Sequence, residues 1–191
     1  MTSPIIIRQH LVTPWSEFLR EWTSCKRCHY AANRSHTVQV RGRLPCDILF
    51  IGEAPGDPED QLGFPFVGEV GAVLNAWIKE AGLADVRYAL VNTVACKPFK
   101  SPPIKPPDAK ALKACRPRFD QLLAMAKPKR IICVGNIATS YRTTLPKEIP
   151  VDSIPHPVSY LKAERVRAAQ FEKQASLCLR RVADELIART V

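Results

Sequence analysis

No stretch of about 18 uninterrupted apolar residues occurs in this 191-residue chain, so a membrane-spanning helix is not expected. The opening "MTSPIIIRQH" has no basic segment ahead of its short apolar run, which leaves a secretion signal unsupported and points to the cytoplasm. Neither G-x-G-x-x-G nor G-x-x-x-x-G-K-[ST] is present, so dinucleotide-dependent redox chemistry and nucleoside triphosphate hydrolysis lack their usual markers. Cysteine is not absent, but its number is seven, odd in a chain long enough to fold without staples. That argues against a disulfide scaffold and for metal ligation alongside ordinary core thiols. Glycine is scarce, eight in all, and five of them (Gly52, Gly56, Gly63, Gly68 and Gly71) fall in one segment, "GEAPGDPEDQLGFPFVGEVG".

With 46% hydrophobic residues, the length suits one domain over 1–191 with a sizeable core. Lys and Arg number 28 against 18 Asp and Glu, a formal charge of +10 that attracts a polyanion such as a nucleic acid backbone.

"TPWSEFLREWTSC" carries Trp15, Phe18, Leu19 and Trp22 at helical intervals and delivers Cys25 to its end. "CDILFIG" (46–52), "RYALVNTV" (87–94) and "KRIICVG" (129–135) are compact apolar runs of the kind that form buried parallel strands, and "IPVDSI" is a shorter one. Helical patterns separate them. One lies over "VGAVLNAWIKEAG", and another follows an N-cap at Asp108, with Pro117 expected to kink or divide it. A long one spans about 162–189, with Phe171, Ala175, Cys178, Val182 and Leu186 on one stripe. The alternation predicts a three-layer α/β/α domain around a central, mainly parallel sheet. Ligands of such sheets sit beyond the C-terminal strand ends, where Glu53, Asn92 and His156 all fall.

Cys25 and Cys28 form a C-x2-C pair, and Cys96 and Cys115 follow strand and helix patterns much later. Four thiolates suit either a zinc ion or a [4Fe-4S] cluster, and the spacing does not choose between them. Cys46, Cys133 and Cys178 sit in apolar patterns and read as core thiols. Lys97, Lys100, Lys105, Lys110, Lys113, Arg116 and Arg118 crowd around Cys96 and Cys115, and Lys100, Lys105 and Lys110 are the expected phosphate contacts.

Within the glycine-rich segment, Gly52 permits close backbone approach, while Phe66, set between Pro65 and Val67, offers a fixed face to a planar base. Asn92 has the donors and acceptor to read a base edge, Glu53 can orient water or face positive charge, and His156 in "IPHPVSYL" is a donor held between prolines.

These motifs, "GEAPGDPEDQLGFPFVG", "VNTVACKP" and "HP" with the four cysteines, resemble the family 4 uracil-DNA glycosylases over about residues 15–175. The resemblance implies a [4Fe-4S] cluster on Cys25, Cys28, Cys96 and Cys115. It implies catalytic roles for Glu53 and His156, and contact with the flipped base for Gly52, Phe66 and Asn92. The implied partner is DNA with one nucleotide flipped out, the implied reaction is hydrolysis of a base from deoxyribose, and the expected state is a monomer. Two places depart from the family's pattern: "GEVG" stands where "GxAG" is common, and "HPVSYL" displaces Tyr160, a further expected DNA contact, by one position. A relative that excises a different base is therefore one alternative. A non-catalytic iron–sulfur nucleic-acid binder and a metal-stabilised interaction module are the others.

Overall fold

The apolar runs read from the sequence become the parallel heart of a five-stranded sheet. The computed structural model describes residues 13–99 and 106–188. In chain order the elements are α1 (Pro14–Trp22), β1 (Val40–Gly42), β2 (Ile48–Gly52), α2 (Asp57–Leu62), α3 (Gly68–Glu80), β3 (Tyr88–Asn92) and α4 (Ala109–Ala126). They continue with β4 (Arg130–Val134), α5 (Asn136–Ser140), β5 (Val151–Ile154), α6 (Pro157–Leu161) and α7 (Arg165–Ala188), and 3-10 turns cover His29–Ala32 and Tyr141–Thr144. The sheet order is β1-β3-β2-β4-β5, with β1 antiparallel to β3 and every other pairing parallel.

Side chains alternate along each strand, and each set has its own helical cover. Ile48, Phe50, Leu90, Ile132 and Ile154 pack against Leu74, Trp77 and Ile78 of α3 and Ala175, Leu179 and Val182 of α7. Leu49, Ile51, Ala89, Val91, Ile131 and Cys133 pack against Phe18 and Trp22 of α1, Phe119 and Leu122 of α4, and Ala138 of α5. This is the expected three-layer α/β/α domain. Cys46 and Cys133 are core thiols, and Cys178 is half-buried against the α7 side.

Local chemistry sets the helix ends. Thr13 and Ser16 form a reciprocal cap ahead of Pro14 in α1, and the Asp108 carboxylate accepts the Ala111 N–H at 2.8 Å to start α4. One expectation is corrected. Pro117 lies inside α4 without dividing it, since one missing N–H costs less than the buried face formed by Ala111, Phe119, Leu122 and Ala126. His156 caps the short α6, and the long C-terminal helix expected over about 162–189 is α7, Arg165–Ala188. Its buried stripe is Ala175, Leu179, Val182 and Ala183, while Phe171 stands at the margin beneath Arg167. Arg130 of β4 pairs with Asp152 at 2.8 Å and with Glu185, which pins α7 to the sheet. No helix among the described residues is long and apolar enough to cross a membrane.

Candidate active site and cysteine pocket

β2 and β3 run side by side in a register that sets Gly52 opposite Asn92 at their C-terminal ends. The bareness of Gly52 is what lets the two ends close up. A Cβ there would strike the Asn92 carboxamide oxygen and would stand 2.5 Å from Cζ of Phe66. Phe66 and Asn92 are 5% and 3% exposed, so the face and the amide meet in a nearly dry corner.

Phe66 is held in the left-handed region at φ 54, which few large residues adopt. The surroundings over-determine it. Arg41 Nε donates to the Pro65 carbonyl and its Nη2 donates to the Phe66 carbonyl, both at 3.0 Å. Gly71 of α3 lies so close beneath that a Cβ would collide with the Phe66 carbonyl. The scarce glycines thus have distinct reasons: Gly52 admits the ring, and Gly71 admits the strained backbone that aims it.

β3 is fixed from behind by Arg118. This guanidinium is 1% exposed and donates to the Asn92 carbonyl at 2.5 Å and to the Gln39 side chain at 3.2 Å. Its Nε has no partner among the described residues. Arg118 is therefore not the surface cation its charge suggests. Lys97 is also drawn inward, lying 3.3 Å from both Asp57 and the buried Asp60. Arg116 pairs with Asp120 at 2.6 Å and with the Thr144 carbonyl. Lys110 is exposed on α4, whereas Lys100 and Lys105 lie outside the described residues.

Glu53 follows Gly52 directly. Its backbone carbonyl accepts the Thr93 hydroxyl at 2.6 Å, while burial raises its carboxyl above the ordinary glutamate value. A raised folded value means stability that is full below the unfolded value and is lost as pH rises through the folded one. Ionised Glu53 is therefore a cost to the fold at neutral pH. Glu53→Gln is expected to melt at a higher temperature than the wild type at pH 7, with the gap narrowing as pH falls toward 4. A variant less stable than wild type in calorimetry at pH 7 would contradict this.

His156 occupies the N-cap of α6, where its Nδ1 accepts the Val158 N–H at 3.2 Å. That bond puts the imidazole proton on Nε2, and burial lowers the ring's pKa, so it stands neutral with one N–H free to donate. Gly135, at the end of β4, was not singled out from the sequence. It has φ 89, and a Cβ on it would come within 2.8 Å of the His156 Cβ and 3.2 Å of its Cδ2, so the imidazole rests across the end of β4. A glycine closing an apolar strand run was the available signal. Tyr160 is half-buried, and its ring meets Trp77 edge-on at 5.8 Å, which ties α6 to α3.

The four predicted cysteines come together. Cys25, Cys28, Cys96 and Cys115 line one small pocket with Arg27, Arg34 and Arg118. Several contacts tie the N-terminal turn to α4. Tyr30 accepts the Asp108 N–H, His29 pairs with Asp108 at 2.9 Å, and Phe99 stacks on His29. Arg34 donates to Cys96 Sγ and the Ala95 N–H donates to Cys115 Sγ, both at 3.4 Å; burial pushes the Cys96 thiol up to about 11, and the Arg34 guanidinium offsets part of that. Among the described residues no group of three or more His, Cys, Asp or Glu is arranged to hold a metal ion. The four thiols line one pocket with three guanidiniums, a set of soft sulfur donors under positive charge whose chemistry suits an anionic metal–thiolate centre.

An apolar cleft of about 240 Å³ between Ile51, Thr93, Leu112, Phe119 and Tyr141 opens on the α4 face of the sheet. It adjoins the strand ends: Ile51 directly precedes Gly52, Thr93 directly follows Asn92, and Tyr141 feels the charge of Glu53.

Comparison with known proteins agrees with this geometry. The family model described as "Uracil DNA glycosylase superfamily" matches residues 41–178. The chain is similar to a type-4 uracil-DNA glycosylase of Sulfurisphaera tokodaii, 37% identical over 122 residues that make up 63% of this chain and 54% of the relative. The protein of that name from Thermotoga maritima is 31% identical, with 70% and 67% covered. The one from Archaeoglobus fulgidus is 27% identical over 186 residues, with 85% and 92% covered. The chain thus spans about half the length of the first of these relatives and nearly all of the last. A match across well over half of the residues, with relatives of one name on each side of it, makes the kinship plain: this chain belongs to the uracil DNA glycosylase superfamily, in its type-4 group.

Proposed function

We propose that the chain is a DNA glycosylase that flips uracil out of DNA and hydrolyses its N-glycosidic bond, leaving free uracil and an abasic deoxyribose. The observation that carries this reading is the in-register meeting of Gly52 and Asn92 beneath the strained, buried Phe66 ring. A flat face and a buried amide side by side suit one flat heterocycle with adjacent donor and acceptor.

Flipping costs a few kcal/mol, least for a mispaired base. Stacking on Phe66 offsets part of it, on the order of 1–3 kcal/mol per base on an aromatic ring. Asn92 reads O4 and N3–H of uracil with its amide N–H and carbonyl. As the bond from N1 to C1′ breaks, negative charge gathers on O2 and positive charge on the sugar. The Nε2–H of His156 donates to O2, and the Glu53 carboxylate orients the water that adds to C1′ and faces the cationic sugar. The water's hydroxyl stays on C1′, its proton leaves by way of Glu53, and the departing uracil takes up a proton from solvent.

Cys25, Cys28, Cys96 and Cys115 are assigned to a [4Fe-4S] cluster, a choice supported by the motif resemblance and by the pocket that the four thiols share. Once bound, the cluster supplies a covalent tie between the N-terminal turn and α4. Glycosidic hydrolysis transfers no electrons, so the chemistry asks nothing more of it. Lys110, with Lys100 and Lys105, is assigned to phosphate contacts. Neutralising all three is expected to flatten the plot of log affinity against log salt by about 0.9 per lost contact on duplex DNA, with base preference unchanged. An unchanged slope in a filter-binding titration would move the DNA surface elsewhere.

The reading is tested by Asn92→Asp on a panel of oligonucleotides, each carrying one altered base. Exchanging the amide donors for acceptors is expected to lower release of uracil relative to bases that present a donor at that edge. A panel ranked as in the wild type would remove Asn92 from base recognition. The enzyme of another base remains a second reading, favoured only by the "HPVSYL" departure.

A further inference from the structure

The glycine-rich segment holds two phenylalanines, and only one has a place in the site. Phe66 is buried, yet Phe64 is 54% exposed and Leu62, at the end of α2, is 60% exposed. Gly63 between them takes φ 78 and turns the chain, so both large apolar groups leave the body at one corner of the loop that carries the base-stacking face.

That corner is rigid. The His36 ring lies 3.7 Å from the position a Gly63 Cβ would take, and its Nδ1 is 2.8 Å from the Asp60 carbonyl. Arg41 holds the carbonyls of Pro65 and Phe66 just beyond. The carboxylates of the acidic helix beneath are each engaged within the fold. Asp60 accepts the Ser35 N–H at 3.0 Å and pairs with Lys97, Asp57 pairs with the same lysine, and Glu59 accepts the Gly56 N–H. Other large apolar residues exposed among the described ones lie elsewhere or already have cover. Phe99 stacks on His29, Trp15 on Phe18, Leu161 ends α6, and Val166, Leu177 and Ile187 are spread along α7.

We propose that Leu62 and Phe64 form an apolar DNA-contacting pair that rests on the base faces uncovered when the neighbouring nucleotide flips into the Phe66 corner. The inference depends on the glycosylase reading. Flipping strips stacking from the bases on either side, and apolar side chains are the groups that replace it. The chain's charge of +10 brings duplex to the surface, and a fixed apolar corner beside the base site finds a partner there only in base faces.

The test compares wild type with the Leu62→Ala/Phe64→Ala double variant and with Phe64→Trp. Both substituted positions are exposed, so folding is preserved. Two readouts are taken: single-turnover uracil release from matched duplex and single-stranded oligonucleotides, and affinity for a duplex bearing a tetrahydrofuran abasic analogue. The double variant is expected to lose roughly tenfold or more in duplex rate and in affinity for the abasic duplex, while single-strand rate and intact-duplex affinity stay within about twofold. Phe64→Trp is expected to retain the wild-type values. Equal losses on both strand forms, or no loss on either, overturn the proposal while leaving the glycosylase reading intact. Sedimentation showing a wild-type dimer that the double variant abolishes would overturn it too, by giving the corner to a second copy of the chain. A wild type that releases no uracil from either form removes the reading itself, and the inference falls with it.

Discussion

His156→Ala is expected to slow single-turnover base release by on the order of 100- to 1000-fold, about 2.7–4 kcal/mol, with DNA affinity nearly unchanged. The split follows from when the charge arises. Uracil O2 carries little charge while the bond is whole, so a donor aimed at it is worth most in the transition state. The donor is already prepared: the Val158 N–H holds Nδ1, and Gly135 leaves room for the ring across the end of β4. Glu53→Ala is expected to show the same split, because the cationic sugar it faces also exists only during bond breaking. Both groups act in their deprotonated forms, neutral imidazole and carboxylate. Burial lowers the first and raises the second, so the rate is expected to be flat at neutral pH and to fall on the acid side as His156 gains a proton at Nδ1 and Glu53 becomes neutral. A rate-pH profile measured in single-turnover assays checks this. Full rates in both variants would remove these residues from the chemistry.

The second large effect belongs to the cysteine pocket. Protein purified without oxygen is expected to be brown and to contain about four irons per chain, as a [4Fe-4S] centre requires. Cys96→Ser is expected to lose the iron and to unfold at markedly lower denaturant, because the tie between the N-terminal turn and α4 goes with it. Cys178→Ser, on the α7 side of the sheet, is expected to keep its iron. Iron analysis by mass spectrometry, alongside denaturant curves, reads both. Stoichiometric zinc in place of iron in the native protein would reverse the assignment.

The sequence was most readable where one physical demand dominated. Strands buried on both faces must be apolar throughout, so "ILFI", "ALV" and "IICV" were visible, and the rule that ligands gather at parallel strand ends led to Glu53, Asn92 and His156. The short elements were not visible. β1 has three residues with an arginine at its centre, and "DPEDQL" reads as a turn until Glu59 closes its cap on Gly56. Charge misled for a related reason. Arg118 and Lys97 count as surface cations in a composition, but tertiary structure takes the first to hold the Asn92 carbonyl and the second to pair with Asp57 and Asp60. Arg41 and Gly135 went unread because their importance lies in a neighbour. One clamps the Phe66 backbone and the other makes way for His156; the glycine closing an apolar run marks a strand end, but nothing local names the neighbour that either residue serves.

The central claim, that the corner at Gly52, Phe66 and Asn92 serves removal of uracil from DNA, has a direct measurement. A labelled oligonucleotide with one uracil is incubated with excess wild-type protein, treated with alkali to cut abasic sites, and the small-molecule fraction is identified by mass. The account predicts one cut at the uracil position, free uracil in equal amount, and loss of both in Glu53→Ala at matched DNA occupancy. An intact strand under saturating binding, or a cut without free uracil, would contradict it.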